Sequence, residues 1–103
     1  MFKLCLYVPV SHLGVVKSAI FAAGAGSVGA YTEYCWEVQG IGQFKPVKGA
    51  NPFIGRVDEL EQVVEYRLET VVPKQCIDAV ISALRQAHPY EEPAYDVIKV
   101  EAY

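Results

Sequence analysis

His88-Pro89-Tyr90-Glu91-Glu92-Pro93-Ala94-Tyr95 sets an imidazole, a phenol and two carboxylates within a few residues. Two prolines restrict the backbone that carries them. Imidazole with carboxylate is a donor set for a hard or borderline divalent cation, zinc or copper being the candidates. His88, Glu91 and Glu92 are then the local ligands, and His12 is a fourth if the fold brings it to the same end. The same residues also fit a rigid corner. In that reading His88 favours the dipole at a helix C-terminus, while Glu91 and Glu92 accept from backbone amides or from a neighbouring subunit's base. A closed zinc site takes about four ligands and only three are local. The residues alone leave both readings open and fix no cofactor.

Other stretches carry weaker chemistry. Gly24-Ala25-Gly26-Ser27-Val28-Gly29 matches G-x-G-x-x-G superficially. It follows a helical pattern instead of opening one, so no helix N-terminus receives a pyrophosphate and a dinucleotide site is rejected. A tight turn, or a nest of backbone amides for an anion, remains. From Gly40 to Gly55, glycines, Pro46, Pro52 and Asn51 interrupt every periodicity, which predicts a long loop with Phe44, Lys45, Lys48, Asn51 and Phe53 on it. Such loops are often functional. It reads either as a flap whose Lys45 or Lys48 meets negative charge, or as an arm packing its phenylalanines on another subunit. Tyr31, Cys35 and Glu69 are candidates to line a pocket between subunits. There is no Gly-x-Ser-x-Gly elbow, P-loop or His-Glu-x-x-His helix.

The elements that position these residues follow from periodicity. Phe2, Leu4, Leu6 and Val8 alternate with polar neighbours in a first strand, ended by Pro9. Ser11 is a plausible N-cap for a helix with Leu13, Val16, Ala19, Ile20 and Ala23 on its apolar stripe, stopped by Gly24 and Gly26. A second strand is expected over 31–38 and a third over 61–72, where Val64, Tyr66, Leu68 and Thr70 oppose Glu65, Arg67 and Glu69. Pro73 opens a helix buried along Ile77, Val80, Ile81, Leu84 and Ala87, and residues 94–100 form the last strand. The order βαββαβ predicts an α+β, ferredoxin-like domain over residues 1–103: an antiparallel sheet in the order 4-1-3-2, with both helices on one face. His12, the 40–55 loop and His88 through Glu92 then share one end. The bare face is expected to carry Lys3, Cys5, Tyr7, Glu37, Arg67, Glu69, Tyr95 and Lys99, too aromatic for solvent alone and suited to self-association.

Length and composition narrow the rest. The 103 residues, 52% hydrophobic and 20% charged, suit one packed domain. A net charge of −3 and no basic run argue against nucleic acid. No apolar stretch is long enough for a bilayer and no leader pattern opens the chain, so a cytoplasmic protein without membrane contact is expected. Cys5, Cys35 and Cys76 form no paired framework and read as buried thiols in a reducing compartment. Cys5 and Cys35 fall on strands about 10 Å apart, too far for a disulfide.

The series Gly24-Ala25-Gly26-x-x-Gly29-x-Tyr31-x-x-x-Cys35, then Gly40-x-Gly42-x-Phe44-x-Pro46-x-x-Gly49-Ala50-Asn51-Pro52-x-x-Gly55, then the His88–Tyr95 stretch resembles the domain inserted in YqfO-type members of the NGG1-interacting-factor-three-like family. That domain in turn looks like the trimeric CutA and PII-like proteins. The resemblance implies a homo-oligomer, with a trimer favoured, and a small-molecule effector bound in subunit clefts beside the strand 2–3 loop. Tyr31, Cys35, Phe44, Lys45, Lys48, Asn51, Glu69 and Tyr90 are its candidate residues here. CutA proteins carry a His-Pro-Tyr-Glu-type segment and are linked to divalent-cation tolerance, which keeps metal binding through His88, Glu91 and Glu92 as the alternative. The hydrolase site of the parent family belongs to flanking domains absent from this sequence, and two histidines do not rebuild it. The expected role is therefore a non-catalytic binding or regulatory module.

Overall fold

In the computed structural model, which describes all residues Met1–Tyr103, four strands form one antiparallel sheet. They are β1 (Phe2–Pro9), β2 (Trp36–Phe44), β3 (Glu61–Val72) and β4 (Tyr95–Lys99), with helices α1 (Leu13–Ala22) and α2 (Ile77–Ala87) between them. The order β2-β3-β1-β4 is the expected 4-1-3-2 read from the other edge. Leu4, Leu6 and Val8 of β1, Leu68 and Val72 of β3, Val16 and Ile20 of α1, and Val80 and Leu84 of α2 are fully buried together. Each helix spends one stripe on this core, as the 3.6-residue period demands. Thr70, buried among them, satisfies its hydroxyl on the Tyr34 carbonyl at 2.7 Å.

The helix ends are set by local chemistry. After α1, Gly24 lies at φ +116 and the amides of Gly24 and Ala25 donate to the carbonyls of Phe21 and Ile20. This is a Schellman cap, and it seats Ala25 in the core. The Gly-rich stretch is thus a helix stop followed by a turn, in which Val28 and Tyr31 bond each other's backbone. Ser11 does not cap α1. A 3-10 turn over Val10–His12 comes first, and the Ser11 hydroxyl contacts His12 Nδ1 instead. Pro73 likewise precedes a 3-10 turn, Lys74–Cys76, before α2 begins. His88 ends α2 in an extended conformation, as the residue before Pro89 must.

The second strand departs from expectation. Residues 31–35 are not strand: Glu33 has φ +58, which breaks an extended run. The strand instead runs from Trp36 through Gly40 and Gly42 to Phe44, where the β3 ladder supplies hydrogen bonds that glycine's weak β preference would not suggest. The connecting segment is consequently 45–60 and not 40–55. Registers also move three residues to the other face. Glu37 pairs with Leu68, Tyr95 with Leu6 and Lys99 with Phe2, so all three lie on the helix side. Glu37 confirms this by bonding Lys17 of α1 at 2.7 Å, and Tyr95 by accepting from Arg85 of α2 at 3.1 Å. The bare face holds Lys3, Cys5, Tyr7, Arg67 and Glu69 as expected, and adds Trp36, Val38, Asp96 and Ile98. The molecule is elongated, 46 × 24 × 24 Å. All three cysteines are free, and β3 separates β1 from the β2 edge that Cys35 precedes.

Gly26 is the glycine pressed directly against neighbouring backbone. At φ +81 it bonds Val71 and Tyr34, and an added Cβ would lie 2.9 Å from the Tyr34 backbone. Gly29, at φ +56, has open space around it. Gly29→Ala is expected to cost about 1 kcal/mol for its left-handed conformation alone, and Gly26→Ala at least about 1 kcal/mol more because the neighbouring backbone must shift. Urea midpoints of the two variants measure the difference.

Candidate functional site

Tyr90 is the centre of the corner that joins α2 to β4. The His88 ring, 5% exposed, explains why. Its Nε2 lies 2.7 Å from the Tyr7 carbonyl oxygen, and its Nδ1 is 3.1 Å from the Tyr90 amide. A carbonyl only accepts and an amide N–H only donates, so the imidazole is neutral with its proton on Nε2. Burial pushes the His88 pKa below its ordinary value, outweighing the pull of the Tyr7 carbonyl and the Glu65 charge. The ring also packs against Tyr90, with centroids 4.9 Å apart.

Tyr90 then gathers the 45–60 segment. Phe44 and Phe53 lie 5.9 and 6.4 Å from its ring, and His12 meets Phe53 edge-on at 5.4 Å. The Asn51 amide donates to Glu91 Oε1 at 2.9 Å, tying the segment to the corner. Pro46, buried, accepts from the Asp58 amide at 2.7 Å and folds the segment back on itself. Strand 1's end, the β2–β3 connection and the end of α2 therefore do meet at one end of the sheet.

Between them lies an open cleft of about 380 Å³, walled by Tyr7, Phe44, Pro46, Phe53, Glu65 and Tyr90, with Lys45, Glu91 and Glu92 also lining it. Glu65, only 8% exposed, accepts from the Tyr90 hydroxyl at 2.9 Å on Oε2. Burial first, then this carboxylate, pushes the Tyr90 phenol well above its ordinary pKa, so it remains a donor. Glu65 fits because Gly42 has no side chain: a Cβ there would collide with its Oε1. Arg67, two residues along the same face, is turned away, bonding Glu69 at 2.9 Å and Cys5 Sγ at 3.2 Å. None of the ion pairs in the structure includes Glu65.

The sequence-derived candidates divide accordingly. Phe44, Lys45 and Tyr90 line the cleft, and Asn51 braces it through Glu91. Lys48 lies outside the lining. Tyr31 is 76% exposed in its turn, Cys35 packs on the core beside Lys17, and Glu69 bridges Lys3 and Arg67 on the bare face. One chain does not bring those three together. Nor do His88, Glu91, Glu92 and His12 converge: both His88 nitrogens are taken, and no group of three or more His, Cys, Asp or Glu side chains is placed to hold a metal ion. Sequence reasoning missed Glu65 and Tyr7. Their place in the cleft depends on strand register, and the only hint was Gly40 and Gly42 beside an acidic strand.

The fold is ferredoxin-like and is shared with CutA and PII-like proteins. The solved CutA1 of Pyrococcus horikoshii superposes with a TM-score of 0.62 at 12% identity, covering 100% of this chain and 86% of that one. Bacillus subtilis GlnK gives 0.53 at 20% identity over 96% and 83%. In sequence the chain is homologous to a segment of the YqfO/NIF3-type proteins. It is 52% identical over 99 residues to the GTP cyclohydrolase 1 type 2 homolog of Bacillus subtilis, covering 96% of this chain and 26% of that protein. The Mycobacterium tuberculosis protein of the same name is 46% identical over 95 residues, or 92% and 25% of the two chains. The crystal structure of a Bacillus cereus protein related to NIF3 superposes with a TM-score of 0.84 at 39% identity, over 98% of this chain and 26% of that one. The chain thus spans about a quarter of the length of the relatives it matches. No family model matches it. No helix is long and apolar enough to cross a membrane.

The His88 bonds give a pH test. A folded pKa below the ordinary 6.5 means that the stability contributed by the neutral ring, whose Nδ1 accepts from the Tyr90 amide, is fully present above pH 6.5 and is lost as pH falls through the lower, folded value. The protein is expected to lose stability on acidification below pH 6.5. His88→Ala is expected to be about 1–3 kcal/mol less stable at pH 7.5, having lost both buried bonds, and to lack that part of the acid dependence. Denaturation at pH 7.5 and 5.5 checks both.

Proposed function

We propose that this chain is a non-catalytic, oligomeric PII/CutA-like module that binds a small ligand in the cleft beneath the 45–60 segment and acts as a regulatory unit. The cleft carries the reading: an aromatic-walled hollow of about 380 Å³ with one buried carboxylate has the size and the few convergent polar groups of a small-molecule site. The segment that closes it is tied to the corner by one hydrogen bond, Asn51 to Glu91, beside its aromatic contacts, which suits a flap. A hydrolytic role has less support. Burial raises the Cys35 thiol, which weakens it as a nucleophile, and the relatives' printed activity belongs to proteins about four times as long.

Self-association, as a trimer, is supported by the bare face. Trp36, Val38 and Ile98 are exposed there around the Lys3–Glu69–Arg67 cluster, an apolar rim that water alone would not favour. Light scattering is expected to give three times the 11.4 kDa chain mass. Val38→Glu is tolerable within one chain because Arg67 lies directly opposite. It is expected to produce monomers by placing a charge in the contact. A parent protein that is already monomeric in dilute solution removes the trimer.

For the ligand, amide NMR of the parent against a metabolite library is expected to move residues 44–54 and 90–94. A library that moves none of them removes the site. Zinc or copper binding that is equal in the parent and His88→Ala removes the alternative in which a cation is held by His88, Glu91, Glu92 and His12.

A further inference from the structure

We infer that the cleft selects a protonated amine carried on an apolar, ring-sized body, with Glu65 as its counter-ion; this rests on the cleft being a ligand site. The charge distribution points this way. Of the ionisable groups lining the cleft, Glu65, Glu91 and Glu92 are acidic and only Lys45 is basic. Glu65 is the one buried among them, while Glu91 and Glu92 stand exposed at the mouth. A carboxylate removed from water needs a cation or several donors. Glu65 has one donor, the Tyr90 hydroxyl on Oε2, and no ion-pair partner. Neither Arg67, two residues along the strand, nor His88 supplies the charge. Arg67 is committed to Glu69 and Cys5, and the His88 ring is neutral with both nitrogens used.

Glu65 Oε1 makes no hydrogen bond to the protein and is not sealed off, since no buried side-chain oxygen is left without a partner. The same carboxylate borders a second hollow of about 300 Å³ formed with Tyr7, Val38, Gly40, Gly42 and Arg67. Oε1 occupies the place a Cβ at Gly42 would take, and Gly40, directly opposite Glu65, adds no side chain beside it. Glu65 lines the cleft together with the rings of Tyr7, Phe44, Phe53 and Tyr90, side chains that attract a cation through their faces and bury an apolar body. A bare metal ion fits less well, because it would meet one buried carboxylate and apolar walls where hard cations take six or more oxygens. An anionic ligand would place its charge against Glu65.

Three probes of one shape separate these cases on the unaltered protein: phenethylamine, 2-phenylethanol and phenylacetate, titrated at pH 7 and followed by the amide signals of residues 44–54 and 90–94. The ammonium is expected to bind at least tenfold more tightly than either of the others. Glu65→Gln, which keeps the shape and the acceptor for Tyr90, is expected to cut the ammonium's affinity at least tenfold and leave the alcohol's within threefold. Its amide spectrum verifies the fold. Equal binding of all three probes, or preference for phenylacetate, overturns the inference while leaving the cleft a ligand site. Absence of ammonium binding overturns it too, and the metabolite screen then judges the cleft separately.

Discussion

The end of the molecule that carries the cleft depends on one imidazole. His88 ends α2, yet it is bonded to a carbonyl of β1 and to the amide of Tyr90, so a single ring joins the helix, the central strand and the corner leading to β4. The bond from the Tyr90 amide requires an unprotonated Nδ1, and burial favours that neutral ring. Pro89 contributes from the backbone side by forcing His88 into the extended conformation that releases the chain from the helix. Tyr90 is held from its amide by His88 and from its hydroxyl by Glu65, and so presents a fixed ring on which Phe44 and Phe53 rest. Without that ring the 45–60 segment would have little but the Asn51–Glu91 bond to keep it against the sheet. The stretch with the richest chemistry in the chain thus uses its imidazole for architecture and leaves the charge of the cleft to a residue elsewhere.

That residue is positioned by an absence. Gly40 and Gly42 cost β2 intrinsic strand preference, but β3 holds them in the ladder, and the missing side chain at Gly42 leaves room for the Glu65 carboxylate on the bare face. The strand is weakened locally so that a charge can be accommodated.

The same glycines mark where the sequence was hard to read. β1, β3 and both helices were legible because their apolar residues recur at one period and face one core. The antiparallel order followed from connection rules. β2 was not legible, since Glu33 in a left-handed conformation and two glycines disguise where the strand starts and ends. A shift of one residue in register reverses a strand's faces, which is why the sequence pattern puts Glu37, Tyr95 and Lys99 on the bare side although they meet the helices. Meeting of His12, the connecting segment and His88 at one end was readable from topology alone. Glu65 was not, because its importance arises from what stands opposite it on another strand. Lys45 and Lys48 suggested an anion for a comparable reason: exposed lysines are visible in a sequence, whereas burial of a carboxylate is not.

The cleft and the bare face are not independent surfaces. Tyr7 and Glu65 border the cleft on one side and the second hollow on the other, and that hollow opens among Val38, Gly40 and Arg67. Arg67 in turn is bound to Glu69, which also holds Lys3 at 3.2 Å, and its Nε rests on Cys5. Burying that ion cluster under a second copy would be costly for an isolated pair. It is less so here because Glu69 already has two cations and Arg67 two partners. A molecule entering the cleft would meet Glu65 from one side, and a copy packed on the sheet would enclose it from the other. Movement of that one carboxylate would alter both environments, because its space is bounded by backbone at Gly42 and by the Tyr90 hydroxyl and is too confined for it to shift unnoticed. Shared walls of this kind are the physical means by which occupancy of a site can bear on association.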